Sequence, residues 1–304
     1  MKKFGVWRVT IMDFLSFIKQ QKPVIFDGGM GTQLAKRGLE LSGGENNLSH
    51  PDIVLEVHKS YVDSGAHVIA ANTFTMNPIY IKTHNLDLDM VKVNQAGVKL
   101  AKQAGARYVL GDMGPTGQLM EPFGPYTKQD MIDCYKAQGA VLAESGVDGF
   151  IIETMMDLNE ALCTLKACKE VSSLPVVVTF TMSVKTSGGR TLMGQTMAEC
   201  AQAVADQGGD VIGTNCGELD PEEITEVIAN LRDKTYLPIL AQPNAGKPKL
   251  VKGETVYDMT PEVFAQGALK CIEAGASLVG GCCGTTPDHI REVVRLLENQ
   301  TLYR

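Results

Sequence analysis

Short apolar runs alternate along the chain with longer stretches in which apolar residues recur at helical spacing. The runs are rich in Val, Ile and Leu, as buried strands are. They occupy residues 24–26, 68–71, 108–110, 150–152, 175–180, 211–213, 238–241 and 278–280. Because a helical stretch follows each run and no linker interrupts the series, the pattern predicts an α/β protein folded as a single (βα)8 TIM barrel. A doubly wound sheet has the same periodicity and stays open here.

The stretches between the runs carry the signals of helix starts and ends. Pro51, Pro221 and Pro261 stand where a first helical turn accepts proline, and glycines such as Gly65 and Gly275 stand where helices commonly end. The predicted helices occupy residues 51–64, 88–104, 128–145, 158–171, 197–207, 221–232, 261–274 and 287–299.

The N-terminal segment has a different pattern from the barrel repeats. It resembles a signal peptide only briefly, because Arg8 and Asp13 interrupt its apolar run and no small-residue cleavage site follows. Apolar residues within 11–18 recur instead at helical spacing. We therefore divide the chain into an N-terminal extension, residues 1–22, with a helix packed on the barrel bottom, and a barrel of residues 23–304. Met12 is an alternative start, which leaves open whether residues 1–11 are native.

Composition limits the classes of function. The 304 residues carry a formal net charge of -7 without a cluster of Lys or Arg, which argues against nucleic acids and anionic membranes as partners. No apolar run approaches the roughly 18 residues of a membrane span. The eight cysteines lack the spacing of a disulfide scaffold, so we expect them to be reduced in a cytoplasmic protein.

The cysteines fall into two groups. Five lie in predicted helices, where a free cysteine is usually a small buried apolar residue. The other three are Cys216, Cys282 and Cys283, which follow two of the predicted strands. Since the C-terminal ends of barrel strands meet at one rim, we expect these three thiols to converge.

Three thiolates are a ligand set typical of zinc, and a fourth position left open would accept a substrate sulfur. Adjacent residues of a regular strand point to opposite faces, so both Cys282 and Cys283 reach one metal only if the backbone bends. Gly280, Gly281 and Gly284 permit such a bend. A disulfide between the two neighbours would be strained, and a metal-free thiol pair is the alternative to zinc.

Polar residues also stand at the other predicted strand ends. Asp27 and Glu153 are placed to accept hydrogen bonds from an ammonium group. Asp112 and Asn215 stand beside them and either support the site or only satisfy loop backbone. Backbone N–H groups of the glycine-rich loop would form a nest for a carboxylate, unless the loop is only a tight turn. The loop residues are Gly28, Gly29, Met30, Gly31 and Thr32.

Seven motifs in order resemble a known family. They are FDGGMGTQL, ANTF, GDMGPTGQL, IIETMMDLNEA, GTNCG, QPNAGKP and GGCCGTTPDHI. From about Val24 onward the chain resembles the homocysteine-binding domain of cobalamin-dependent methionine synthase, within the wider homocysteine S-methyltransferase family. The resemblance implies a (βα)8 barrel, Zn2+ held by the three rim cysteines, and homocysteine contacts at Asp27 and Glu153. It also implies that Asn244 fills the fourth zinc position when substrate is absent.

The resemblance and the thiol chemistry together predict methyl transfer to homocysteine, giving methionine. A zinc-bound thiol is deprotonated near neutral pH, whereas a free thiol is largely protonated. The substrate sulfur would enter as the fourth ligand and attack the methyl group, so the reaction needs no protein nucleophile.

The methyl donor is predicted from the methionine synthase resemblance. The sequence contains no Asp-x-His-x-x-Gly cobalamin signature, and folate- and cobalamin-binding modules are expected to be missing. Methylcobalamin on a separate corrinoid protein is therefore the expected donor. The alternatives are S-methylmethionine, betaine, and a non-catalytic zinc- or thiol-binding subunit. Betaine is disfavoured because a quaternary ammonium calls for an aromatic cage and the single Trp, Trp7, precedes the matched region.

Overall fold

The structure, a computed structural model, describes residues 12–21, 23–39, 43–183, 188–251 and 253–299. The strands are β1 Val24–Ile25, β2 Val68–Ala70, β3 Tyr108–Met113, β4 Gly149–Met155, β5 Val176–Phe180, β6 Val211–Asn215, β7 Ile239–Gln242, β8 Lys249–Val251, β9 Glu254–Val256 and β10 Leu278–Val279. The helices are α1 Phe14–Gln20, α2 Met30–Ala35, α3 Asn46–Ser49, α4 Pro51–Asp63, α5 Pro78–Thr83, α6 Met90–Gln103, α7 Lys128–Glu144, α8 Leu158–Val171, α9 Met197–Asp206, α10 Pro221–Arg232, α11 Pro261–Glu273 and α12 Pro287–Asn299.

Eight parallel strands form one sheet in the order β1-β10-β7-β6-β5-β4-β3-β2. Its two edge strands meet, since Phe26 bridges to Val68 and the N–H of His67 donates to the carbonyl oxygen of Ile25 at 2.8 Å. The predicted TIM barrel is therefore confirmed, and the doubly wound alternative is wrong. Each of the eight predicted runs coincides with a strand of this sheet.

Helix α1 lies against the N-terminal end of the barrel interior. Its Phe14, Phe17 and Ile18 are buried in one cluster with inward-facing strand residues such as Tyr108. The cation of Arg107 stacks on the Phe17 ring, 4.2 Å from its centroid. Ile11, used to predict this helix, lies outside the described residues, and the domain boundary between residues 22 and 23 stays a prediction.

The barrel interior changes from apolar to polar toward the C-terminal ends of the strands. Leu110, Ile151 and Leu240 belong to the inner apolar cluster. Because side chains alternate along a strand, the residue two positions later on each strand also points inward. These next inward positions on β3, β4 and β7 are Asp112, Glu153 and Gln242. A polar layer therefore covers the apolar core at one end.

The structure adds elements that the sequence pattern did not predict. They are the short helices α2, α3 and α5 and the antiparallel hairpin of β8 and β9 in the loop after β7. The residues of β8 are exposed, so this hairpin lacks the apolar alternation that marks a half-buried strand. Within the described ranges, no helix has the length and apolarity required to cross a bilayer.

His58 in α4 generates a stability prediction. It is buried, and neither ring nitrogen has a hydrogen-bond partner among the described residues. Burial lowers the pKa of its imidazole from 6.5 to about 4. Below pH 6.5 the unfolded chain therefore takes up a proton that the folded protein accepts only near pH 4. The free energy of unfolding consequently decreases as the pH is lowered from 6.5 to about 4.

We expect His58→Leu to remove this dependence. Relative to wild type, its free energy of unfolding should rise by about 3 kcal/mol between pH 7 and pH 4. Urea denaturation at a series of pH values measures the difference directly. Parallel profiles for the two proteins would contradict the assignment.

Candidate functional site

A cavity of about 350 Å³ opens at the C-terminal end of the barrel. Its volume lies within the range of small-molecule sites. The predicted site residues that line it are Asp27, Gly28, Gly29, Met30, Gly31, Thr32, Asp112, Glu153, Cys216, Cys282 and Cys283. Asn215 and Asn244 are buried beside these residues and do not line the cavity.

The sulfurs of Cys216, Cys282 and Cys283 all lie within 4.8 Å of one another. The Cys216 and Cys283 sulfurs are 3.8 Å apart. Sulfurs bound tetrahedrally to zinc at about 2.3 Å stand about 3.8 Å from each other, so the spacing fits zinc. Within the described part of the chain, no other trio of His, Cys, Asp or Glu side chains converges in this way.

The end of β7 holds the two cysteine segments in place. Strand β7 lies between β6, which precedes Cys216, and β10, which precedes Cys282. The N–H of Cys216 donates to the carbonyl oxygen of Gln242 at 3.2 Å, and the N–H of Cys282 donates to that of Pro243 at 2.9 Å. The segment after β7 is thus bonded to both cysteine segments.

The backbone bend expected at the adjacent cysteines is present. Cys283 and Gly284 occupy a turn closed by the N–H of Thr285, which donates to the carbonyl oxygen of Cys282 at 3.2 Å. Gly284 has a φ of 79°, and Cys216 has a φ of 54°, a left-handed conformation that is uncommon outside glycine. Such local strain commonly marks functional sites.

The three rim thiols share their protons unevenly. The pKa of Cys283 is lowered to about 3, because the thiols of Cys216 and Cys282 donate hydrogen bonds to its sulfur. The hydrogen bonds of Cys282 with Cys216 and then with Cys283, together with burial, raise the pKa of the Cys282 thiol well above its ordinary value. One thiolate is therefore stabilised without a metal, and two further protons must leave before all three sulfurs can ligate a cation.

The other five cysteines differ from this trio. As predicted, they are buried in α7, α8, α9 and α11, and burial raises the pKa of each thiol. They are Cys134, Cys163, Cys168, Cys200 and Cys271. A buried thiol that keeps its proton is a poor nucleophile and a poor metal ligand.

Asn244 carries an unsatisfied oxygen. Its side-chain Nδ2 donates to the carbonyl oxygen of Gly217 at 2.9 Å. Its Oδ1 is buried and has no hydrogen-bond partner among the described residues. An orphaned buried amide oxygen costs about 1–3 kcal/mol, and a cation beside it would remove that cost. The donor set therefore fits a zinc ion held by three sulfurs.

Three carboxyl groups face the same cavity. Asp27 Oδ2 accepts the N–H of Ala70 at 3.0 Å, yet burial raises the pKa of Asp27 well above its ordinary value. Burial, followed by the charge of Glu153, raises that of Asp112 in the same way. Burial and then the charge of Cys283 raise the pKa of Glu153 to about 7. A cationic ligand in the cavity would favour the ionised forms of these acids and so offset the cost of burying their charges.

The glycine-rich loop after β1 turns directly into α2. Gly29 caps this helix, and its N–H donates to Oγ1 of Thr285 at 2.9 Å. A Cβ on Gly29 would lie 2.6 Å from the carbonyl oxygen of Cys282, so only glycine allows the loop to pack on the cysteine turn. The backbone N–H groups at the start of α2 remain available for a carboxylate.

Several residues of the site were absent from the sequence prediction, among them Thr154, Gln242 and Tyr257. Thr154 and Gln242 line the cavity, and Thr154 has a φ of 60°. Both belong to motifs discussed above, so their position after predicted strands was the available signal. Burial and the charge of Cys283 raise the pKa of Tyr257, which follows the exposed hairpin. No pattern in the sequence predicted Tyr257.

Known proteins share this fold and sequence pattern. Methionine synthases of Mycobacterium leprae and Mycobacterium tuberculosis are each 32% identical to the chain. The alignments cover 90% and 97% of this chain but 24% and 26% of the relatives, so the chain spans about a quarter of their length.

Among solved structures, the metallated form of the homocysteine methyltransferase MmuM from Escherichia coli matches with a TM-score of 0.76. The match covers 92% of this chain and 98% of that chain at 21% identity, and it shows the common fold. The family model described as homocysteine S-methyltransferase matches residues 24–297, which include every rim residue described above. The chain therefore belongs to the homocysteine S-methyltransferase family.

Proposed function

We propose that the protein binds zinc through Cys216, Cys282 and Cys283 and transfers a methyl group to the sulfur of homocysteine, giving methionine. The observation that carries this proposal is one cavity lined by three sulfurs within 4.8 Å of one another and by three carboxyl groups. The trio suits a thiol-binding metal and the carboxyl groups suit an ammonium, so the cavity matches both ends of an amino-acid thiol.

Each part of the site has a separate task in this proposal. When bound, zinc lowers the pKa of the substrate thiol and so supplies a nucleophilic thiolate at neutral pH. Asp27, Asp112 and Glu153 receive the substrate ammonium, and its charge favours their ionised forms. The N–H groups at the start of α2 receive the substrate carboxylate. Fixing the amino-acid end in this way orients the sulfur toward the open mouth.

The exposed apolar residues of the mouth support a donor carried by another protein. Leu119 and Phe123 follow β3, Leu192 and Met193 follow β5, and Leu250 lies in the hairpin after β7. Phe123 and Leu250 are 74% and 78% exposed. Large exposed apolar groups around a cavity are typical of a docking surface. We propose that a separate corrinoid protein presents methylcobalamin here.

The alternative functions find less support in the cavity. Betaine would need an aromatic cage, and Phe74 is the one aromatic residue among the described residues that line the cavity. A non-catalytic zinc barrel needs a permanent fourth ligand, for which Asn244 is the candidate. S-Methylmethionine is small enough for the cavity, and the donor experiment below separates it from methylcobalamin.

Zinc binding and substrate binding are tested together by X-ray absorption at the zinc edge. Zinc-loaded protein should show three sulfurs and one lighter atom in the first shell. Homocysteine should replace the lighter atom with a fourth sulfur, because the trio leaves one position for the substrate. A first shell that does not respond to homocysteine would support the non-catalytic barrel and refute the proposal.

Cys283→Ala should abolish zinc retention and methionine formation together, because the sulfurs of Cys216 and Cys282 alone do not complete the zinc ligand set. The control is Cys163→Ala, which removes a buried helix thiol and should leave both properties intact. Zinc content is measured by metal analysis after dialysis, and methionine by mass spectrometry. Full turnover by Cys283→Ala would contradict the assigned ligand.

The donor and the docking surface are tested in one assay. We expect transfer from methylcobalamin, free or on the cobalamin-binding module of a methionine synthase, and none from S-methylmethionine. Phe123→Ser should lower kcat/KM for the module-borne donor by about fivefold or more, as loss of an interface anchor does, and leave free methylcobalamin unaffected.

The matched control for the docking surface is Tyr236→Ser. Tyr236 is 81% exposed but precedes β7, at the opposite end of the barrel. This variant should transfer methyl groups from both donors at the wild-type rate. An equal loss in the two variants would count against the mouth as the docking surface, and turnover with S-methylmethionine would favour that donor instead.

A further inference from the structure

Asn215, the last residue of β6, contacts both halves of the proposed site. It is fully buried, and its Nδ2 lies 3.0 Å from Oε1 of Glu153 and 3.7 Å from the sulfur of Cys282. The Glu153 oxygen and the Cys282 sulfur are themselves 4.0 Å apart. One amide group therefore faces a carboxyl group and a thiol that are direct neighbours.

The orientation of this amide is fixed by its other contacts. Oδ1 of Asn215 accepts the backbone N–H of Thr154 at 3.0 Å and the hydroxyl of Thr179 at 2.8 Å. A backbone N–H can only donate, so the atom that faces it must be the oxygen. The NH2 group is consequently the end that faces Glu153 and Cys282.

The NH2 group has two hydrogens and three neighbouring acceptors. Besides Glu153 and Cys282, it lies 2.7 Å from Oγ1 of Thr154, whose backbone N–H is held by the same amide. Hydrogen bonds to ionised acceptors are the stronger ones, so a carboxylate and a thiolate compete best for these hydrogens. The amide thus donates toward both neighbours without adding charge of its own.

We propose that Asn215 is a positioning residue that links metal binding to recognition of the substrate ammonium. Its NH2 group orients the Cys282 sulfur and the Glu153 carboxylate at once, so that the amino-acid end of the substrate is held at a fixed distance from the metal. This inference rests on the function proposed above and adds a residue that does not line the cavity.

The choice of side chain follows from the charges around it. Two anions 4.0 Å apart repel each other, and a neutral group with two donors stabilises both. Aspartate would offer an acceptor to the same neighbours and add a third negative charge. Leucine would remove the donors and leave Glu153 and Cys282 without this shared contact. Asparagine meets the requirement because its neutral NH2 group supplies two donors. Its oxygen accepts hydrogen bonds from Thr154 and Thr179 on the opposite side.

The test is Asn215→Asp, which keeps the shape and both acceptor contacts and loses the donors. Cobalt replaces zinc, because its thiolate charge-transfer band reports the electron density of the ligating sulfurs. Loss of an N–H to sulfur bond should shift that band to lower energy. Affinity for homocysteine, divided by that for 4-mercaptobutyrate, which lacks the amino group, should fall by about tenfold or more.

Two further variants separate positioning from general stability. Asn215→Leu removes the donors without adding charge and should show the same two changes; it also serves if the aspartate variant does not fold. Asn94→Asp is the matched control, because Asn94 is a fully buried asparagine of α6 that does not line the cavity. It should leave the band and the affinity ratio at their wild-type values.

The outcomes are distinguishable. The role of Asn215 would be overturned if the band kept its wild-type energy and the affinity ratio stayed within twofold of wild type. A change in only one of the two, or equal changes in Asn94→Asp, would overturn it as well. Wild-type protein that binds cobalt without thiolate ligation, or does not bind homocysteine, would sink the proposed function and this inference with it.

Discussion

The site depends on the approach of two backbone segments that regular strands would keep apart. Cys216 follows β6 and Cys282 follows β10, with β7 between them. Neighbouring strands lie about 4.8 Å apart, so strands separated by a third lie roughly 10 Å apart. The sulfurs nevertheless lie within 4.8 Å of one another. The left-handed backbone at Cys216 and the turn at Gly284 account for the approach, and the segment after β7 is hydrogen-bonded to both sides.

This convergence concentrates acidic groups in a small volume. Three thiols and three carboxyl groups line one cavity, and several hold their protons above their ordinary pKa because they are buried beside one another. A divalent metal and an ammonium would each neutralise one part of the group. The acidic cavity is therefore complementary in charge to the proposed substrate, which has a thiol at one end and an ammonium at the other.

The sequence predicted the parts of the molecule whose signals are local and repeated. Eight strands, the order of the helices and the convergence of the rim cysteines followed from apolar runs and from the geometry of parallel barrels. The hairpin of β8 and β9 was missed because its exposed residues carry no periodic pattern. The double contact of Asn215 was also beyond prediction, since it depends on distances between β4, β6 and the loop after β10 that only the closed barrel defines.

The size of the cavity and the apolar character of its rim both bear on where a methyl donor would bind. About 350 Å³ accommodates an amino acid, whereas a corrinoid is far larger and has to approach from outside. For the proposed methylcobalamin donor, the methyl group would have to reach a sulfur held at the barrel mouth, so the donor would rest on the surrounding loops. Those loops expose large apolar side chains such as Phe123 and Leu250. In the proposed function, the interior would recognise the acceptor and the rim would receive a carrier, so specificity for the two reactants would reside in separate parts of the barrel.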